Sequence, residues 1–544
     1  MTFICTRLLN NSFTVLLLFT LLACGGGGES GPTTFTVGGI VTGLPASTSL
    51  VLRNNGSDNL TVSADGSFTF LTQVASSATY NVTIAIQPQG RTCVVSNGSG
   101  TISGGSVTNV SVNCTPAWTW ISGSNVGYFQ GSYGTQGVSA STNAPGARSG
   151  AVGWLDSFGN RWLFGGQGHA PNSDVGYLND LWKFDGTNWT WMSGSTRNDA
   201  YAVMGNYGML GVAAATNVPG GRDKSMTWRD SSGSLWLFGG YGYDSTANLG
   251  LLNDLWKFDG TNWIWVGGSS TGGAKGVYGT KGAPASTSVP GSRDGAVSWM
   301  DGSGNLWLFG GGGWDAAGTL GYLNDLWRFD GTNWTWVGGG DIANATGVYG
   351  AKGVAASTNA PGARWGASGW IDGSGKLWLF GGQGYASTAT WGSLNDLWKF
   401  DGANWIWVSG NNTVNVAGIY GTKGVAASTN APGSRRAAVF WVDSFGNGWL
   451  FGGDGLNSNG LQEFLNDLWK FDGTNWIWMS GDKTGEAAAI SGTKGTPAWA
   501  NVPGARNKPV GWIDSTNNLW LFGGRGKDSN GTRGELNDLW RYQP

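Results

Sequence analysis

Six arginines recur at the end of a Pro-Gly-x-Arg motif: Arg148, Arg222, Arg293, Arg364, Arg435 and Arg506. A guanidinium offers a planar fork of donors that matches a carboxylate. Six copies at corresponding positions suit either of two tasks. They can tie down a neighbouring loop by pairing with its carbonyls or an acid, or they can hold acidic groups of a ligand. The residue after each arginine varies: Ser149, Asp223, Asp294, Trp365, Arg436 and Asn507. A second group of candidates is aromatic. Trp314, Trp365 and Trp391 have no counterparts elsewhere in the chain, and Tyr243 and Tyr385 lie in segments whose chemistry changes from copy to copy. Such rings suit stacking on a sugar or a protein side chain. General acids are scarce, with Glu463 and Glu535 the carboxylates that could join the arginines, and His169 is the sole histidine. No spacing of His, Cys, Asp or Glu suggests a metal site, and no motif calls for a cofactor.

What positions these residues is a repeat. The Phe of Leu-Phe-Gly-Gly falls at 164, 238, 309, 380, 451 and 522, a period of 71 after a first interval of 74. Leu-Asn-Asp-Leu-Trp follows each time, with its Asn at 179, 253, 324, 395, 466 and 537. Each unit holds four strand candidates separated by turn-rich segments, in the first unit Arg148 to Leu155, Arg161 to Gly165, Asp180 to Asp185 and Trp189 to Met192. Thirty of the 34 tryptophans occupy recurring columns. Recurrence favours packing between sheets over ligand stacking. The recurring Asp156, Asp180 and Asp185 positions read as turn and cap chemistry.

Four strands per unit, a Gly-Gly doublet on the second and aromatics on the third and fourth resemble kelch repeats, over residues 116 to 544. The resemblance implies an all-β, six-bladed kelch-type β-propeller. The period exceeds the usual ~50 residues, and the excess lies in a connection that itself repeats and is therefore expected to be ordered. Trp-x-Trp occurs six times, but the first, at 118/120, precedes unit one, and none follows Trp540. The ring is thus expected to close by the N-terminal strand near Trp118 completing the last blade. Strand direction puts the second-to-third connections and the long inter-blade connections on one face, which is the variable face and the expected recognition surface. In kelch adaptors arginines at similar places contact acidic ligand groups, which the resemblance extends to the six arginines here.

Residues 34–115 alternate with the period of two of half-buried strands, as in Tyr80/Val82/Ile84, and predict a small β-sandwich, loosely similar to the Ig-like or transthyretin-like modules of bacterial surface proteins. The first 23 residues carry Arg7 and then an apolar run too short to span a bilayer, and they read as a signal peptide. Leu-Leu-Ala-Cys24 resembles the lipobox of bacterial lipoproteins, which implies lipidation of Cys24 and a Gly-rich tether over 24–33. Gly25, where Asp would retain the protein in the inner membrane, points to the outer membrane, periplasmic or surface-exposed. Export makes a Cys93–Cys114 disulfide the expectation for the two remaining cysteines, with metal binding by two lone thiols the weaker reading.

A formal net charge of −2 with 12% charged residues leaves no basic stripe for a nucleic-acid partner. The favoured reading is a lipid-anchored cell-envelope protein that recognises a glycan or protein through the variable face. Copper radical oxidases on similar propellers need several His ligands and a Cys-linked Tyr, which this propeller lacks. The alternative is a sugar-active enzyme of the sialic acid mutarotase type, with Glu463 or Glu535 as acid/base beside the arginines.

Overall fold

The computed structural model describes residues 32–44, 48–88, 91–171, 174–198 and 203–544. Cys24 and the signal peptide lie outside the described residues. The chain divides into two compact units, each taken by itself below.

N-terminal to the propeller the chain forms three sheets: one with the order Gly66–Thr69, Val37–Thr42, Val107–Pro116, Arg91–Ser96, a second with the order Asp58–Val62, Leu50–Asn54, Thr79–Ile86, Ser99–Thr101, and a pair of short strands, Thr34–Phe35 and Val74–Ala75. Period-two alternation sends Val37, Val41, Leu50, Leu52, Val110 and Val112 inward, where each is almost fully buried. Cys93 and Cys114, on neighbouring strands, form the expected disulfide.

The larger unit is the six-bladed β-propeller. Blade 1 runs outward from a broken inner strand, Arg148–Ser149 and Val152–Leu155, through Arg161–His169 and Val175–Phe184 to Trp189–Ser193, and the other blades repeat this order. Two features differ from the sequence-based expectation. The second and third strands do not stop at the Gly-Gly doublet. A bulge between Phe164 and Gly166 carries the hairpin on to the His169–Val175 pair, so most of the predicted second-to-third loop is strand. The doublet is needed there because Gly165 and Gly166 have φ of 66° and 96°, and a Cβ on Gly165 would meet two backbone carbonyl oxygens at 2.8 and 2.9 Å. The inner strand, expected as one piece, is interrupted at a residue of positive φ in every blade.

The ring closes as expected. Trp118–Ser122 is the outermost strand of blade 6, with Trp118 opposite Tyr542, Thr119 opposite Arg541 and Trp120 opposite Trp540. The recurring tryptophans fill the wedges between blades, and all six on the third strands are fully buried. The indole N–H groups of the second and third strands are satisfied, with Trp162 donating to Asp156 at 2.9 Å and Trp182 to Asp180 at 2.7 Å, whereas those of Trp118, Trp263, Trp441 and Trp512 are buried without a partner. The long connections account for the extended period. Each runs along the outer edge of the blade it enters, with Gly137 N–H donating to Trp191 O at 2.8 Å and Gly495 N–H to Trp120 O at 2.7 Å. Unpaired edge groups that would invite another strand are thereby covered.

Candidate functional site

The six Pro-Gly-x arginines do not face the channel. All six are 0–1% exposed, and each forms a two-pronged ion pair with the Asp of Asn-Asp-Leu-Trp in its own blade. Arg148 Nη1 and Nη2 lie 2.6 and 2.8 Å from Asp180, and its Nε and Nη1 also donate to Gly146 O and Gly165 O. Five of these aspartates also accept from a tyrosine of the long connection, such as Tyr133 Oη at 2.5 Å and Tyr349 Oη at 2.6 Å. Burial, and then the adjacent carboxylate, push these phenols well up. The expectation that the arginines contact a ligand therefore gives way, since each guanidinium is buried and spends four hydrogen bonds inside the blade wall. The reading of Asp180 and its equivalents as cap residues is corrected too, because they are the counter-ions. The arginines bind the long connection to its blade.

The residue after each arginine faces the other way, and the residue after that links its blade to the next. Gly150, Lys224, Gly295, Gly366, Ala437 and Lys508 all have positive φ, between 51° and 66°. Each passes a backbone hydrogen bond to the preceding blade: Lys224 N–H to Gly150 O at 2.7 Å, Gly295 to Lys224, Gly366 to Gly295, Ala437 to Gly366, Lys508 to Ala437 at 2.9 Å, and Gly150 back to Lys508 at 3.0 Å. This is a closed belt of six bonds around the axis. Glycine is the natural occupant, and a side chain in this conformation costs roughly 1 kcal/mol. Two of the three non-glycine occupants are lysines.

Beside the belt lies a hollow of about 300 Å³, lined by Asp294, Gly312, Tyr322, Trp365, Gln383, Arg436, Asp454, Asn507 and Lys508. Trp365 is its central ring. The indole N–H donates to Asp294 Oδ1 at 3.0 Å, and the ring has three cations around it, Lys224 at 5.6 Å, Lys508 at 5.9 Å and Arg436 at 6.0 Å. Its position requires the glycine of the neighbouring blade, because a Cβ on Gly295 would meet Trp365 Nε1 at 2.2 Å. Arg436 pairs with Asp454 at 2.8 Å and also donates to Gln383. Lys224 is held between Asp294 at 2.7 Å and Asp223 at 3.4 Å. Burial alone would depress Lys224, but these two carboxylates overcome it and hold its ammonium above the usual range.

Asp223 is 2% exposed. Burial pushes its carboxyl up to about 6, against the opposing pull of Lys224 and Lys508. A folded-state value raised above the unfolded one favours folding below the unfolded pKa and loses that contribution as pH rises through about 6. The shift corresponds to roughly 3 kcal/mol. Asp223→Asn is therefore expected to gain on the natural protein by up to that amount between about pH 4 and pH 8, as measured by urea unfolding of the two chains in parallel. A pH-independent difference would refute this.

Of the aromatic candidates, Trp365 alone lines the hollow. Tyr243, Trp314 and Tyr385 each end the second strand of their blades, and Trp391, half exposed, opens the third strand opposite Tyr385. Tyr243 packs edge-on against Tyr177 at 6.0 Å. Glu463 does not line it either, accepting instead from Asn457 at 2.8 Å and Gly485 N–H at 3.2 Å, and Glu535 is 6% exposed beside Arg525. The described residues hold no cluster of three or more metal-ligating side chains. Lys224 and Lys508 join the site without having stood out among the sequence candidates. Their signal is a column of Gly, Lys, Gly, Gly, Ala, Lys two places after the arginine of Pro-Gly-x-Arg, in which lysine stands where the backbone prefers glycine.

No family model and no curated protein matches the chain. Among solved structures it is similar to that of YjhT, at 14% identity and a TM-score of 0.41 over 73% of this chain and 95% of that one. A fungal alcohol oxidase of the AA5 family in complex with copper matches at 13% identity and a TM-score of 0.39, over 76% of this chain and 77% of its own. A protein of unknown function from Dyadobacter fermentans matches at 10% identity and a TM-score of 0.39, over 78% and 97%. The likeness is one of architecture, which the strand pairing establishes on its own, and it transfers no activity to this chain.

Proposed function

We propose that the protein is a cell-envelope recognition protein, attached through Cys24, whose propeller binds a glycan in the hollow beside the axis. The observation that carries this reading is Trp365. It is an aromatic ring in a column occupied elsewhere by Ser, Asp, Asp, Arg and Asn, and it is surrounded by the amide of Gln383, the carboxylates of Asp294 and Asp454 and the guanidinium of Arg436. Sugars present apolar C–H faces that stack on such a ring and hydroxyls that both donate and accept, so a platform flanked by mixed donors and acceptors suits them. The hollow has room for one or two sugar residues, within the lower range of small-ligand sites.

A glycan array followed by calorimetry on the best hit tests this. Trp365→Ala is expected to weaken binding tenfold or more, whereas Trp314→Ala and Trp391→Ala, whose rings lie outside the hollow, leave it within twofold. Binding that survives Trp365→Ala but falls with Trp391→Ala would move the site to the hairpin tips and overturn the proposal.

A further inference from the structure

We propose that Lys508 is a nucleophilic amine that captures a carbonyl compound in the axial hollow as an imine, an inference that rests on reading the hollow as a ligand site and adds a covalent step to it. The two belt lysines provide an internal comparison. Lys224 has carboxylate oxygens at 2.7 and 3.4 Å. Lys508 has no carboxylate within 4 Å among the described residues; its amine lies 5.9 Å from the Trp365 ring, and it feels the positive charge of Lys224 and, in opposition, the carboxylates of Asp223 and Asp294. Lys508 also lines both the hollow and a second space of about 150 Å³ bounded by the belt residues themselves. A lysine placed there adopts a left-handed conformation, φ 51°, that glycine holds in three of the six blades. Strain kept at a site that opens onto a cavity is the usual signature of a working residue.

Desolvation and a neighbouring cation are the two ways by which proteins make a lysine amine nucleophilic. Both act on Lys508, whose ammonium is held below its usual range by burial first and by Lys224 second. A proton carrier, the carboxyl of Asp223, and a hydrogen-bond acceptor, the amide of Asn507, are also at hand. Asp223, electrostatically coupled to Lys508, and Asn507, the preceding residue, are both more than nine-tenths buried, and each leaves Oδ1 without a hydrogen-bond partner. In the step proposed, neutral Nζ adds to the carbonyl carbon, and a proton passes from nitrogen to oxygen to give a carbinolamine. Protonated Asp223 then donates to the departing hydroxyl, water leaves, and the nitrogen proton returns to Asp223. Amine plus carbonyl become imine plus water, with no change in oxidation state. The ligand class is an aldehyde or ketone small enough for the hollow, the open-chain form of a reducing sugar included.

The test uses the full chain with D-glyceraldehyde as probe and sodium cyanoborohydride as trap, followed by proteolysis and mass-spectrometric mapping. Lys508 is expected to be labelled at least tenfold faster than any other lysine, and Lys224, held as an ammonium, to be among the slowest. Asp223→Asn is expected to slow labelling of Lys508 tenfold or more, and Lys508→Arg to abolish the fast adduct while leaving the surface adducts unchanged. The map of the natural protein is decisive even where the variants fold poorly. Adducts spread evenly over surface lysines, or an unlabelled Lys508, overturn the proposal. A methyl glycoside, which has no free carbonyl, separates the two readings. If it binds through Trp365 while Lys508 stays unlabelled, glycan recognition stands and imine capture falls. Rapid labelling of Lys508 without glycoside binding supports capture and removes the recognition reading.

Discussion

Replacing Arg364 by methionine is expected to lower the unfolding free energy by about 3–5 kcal/mol, several times what an exposed ion pair contributes. The guanidinium makes two bonds of 2.7 and 2.8 Å to Asp396 and two more to Gly362 O and Gly381 O. Without it, Asp396 remains 0% exposed with only the Tyr349 hydroxyl and the Trp398 indole to solvate its charge. An unpaired buried carboxylate is costly because no water replaces the lost cation. The double variant Arg364→Met with Asp396→Leu is expected to recover much of the loss, since it removes both charges and keeps apolar volume. Guanidinium unfolding of the three chains measures this, and a loss below about 1 kcal/mol in the single variant would contradict it. Ligand affinity gives an independent check. While the variant remains folded, glycan binding should be unaltered, because Arg364 supports the wall and does not reach the hollow.

Thr119→Pro is expected to cost about 3 kcal/mol or more and to remove the single cooperative unfolding transition of the propeller. Trp118 O and Trp120 O face outward, where Asn501 and Gly495 donate to them. Alternation along the strand then aims the Thr119 N–H inward at its partner Arg541. Proline deletes that bond in the strand that joins the two ends of the ring. The loss does not stay local, because Trp118 packs on Phe451 of blade 5 and on Tyr542, at 5.4 and 5.1 Å. Calorimetry is expected to show a lowered and broadened transition. Thr335→Pro, at the equivalent site of blade 3, serves as a control that weakens a blade without opening the ring. Equal effects of the two would mean that closure by the N-terminal strand contributes nothing special.

Much of this architecture is legible in the chain alone. The spacing of Leu-Phe-Gly-Gly counts the blades, and the displaced Trp-x-Trp at 118/120 gives the closure. The recurrence of 30 tryptophans assigns them to the core. The site is less legible. The column Ser149, Asp223, Asp294, Trp365, Arg436, Asn507 stands out as variable, and the structure puts Asp294, Trp365, Arg436 and Asn507 of it on the hollow. The same pattern wrongly puts the adjacent arginines on the channel and makes caps of their partners, Asp180 to Asp538. It also makes each inner strand continuous, as from Arg148 to Leu155, because nothing in the apolar alternation marks the left-handed residue that interrupts it.

Periodicity along the chain suffices for the number of blades, the edge that seals them and the residues that pack between them, because a closed ring repeats one packing problem six times and each solution leaves a periodic trace. Which side of the wall each polar residue faces is settled only in three dimensions. A left-handed residue within the inner strand resets the pleat, so alternation counted along the chain loses its phase there. The same holds for which non-repeating groups meet. Asp294, Trp365, Arg436 and Lys508 come from four different blades and converge because the ring brings every inner strand to one axis, a proximity that their separation along the chain conceals.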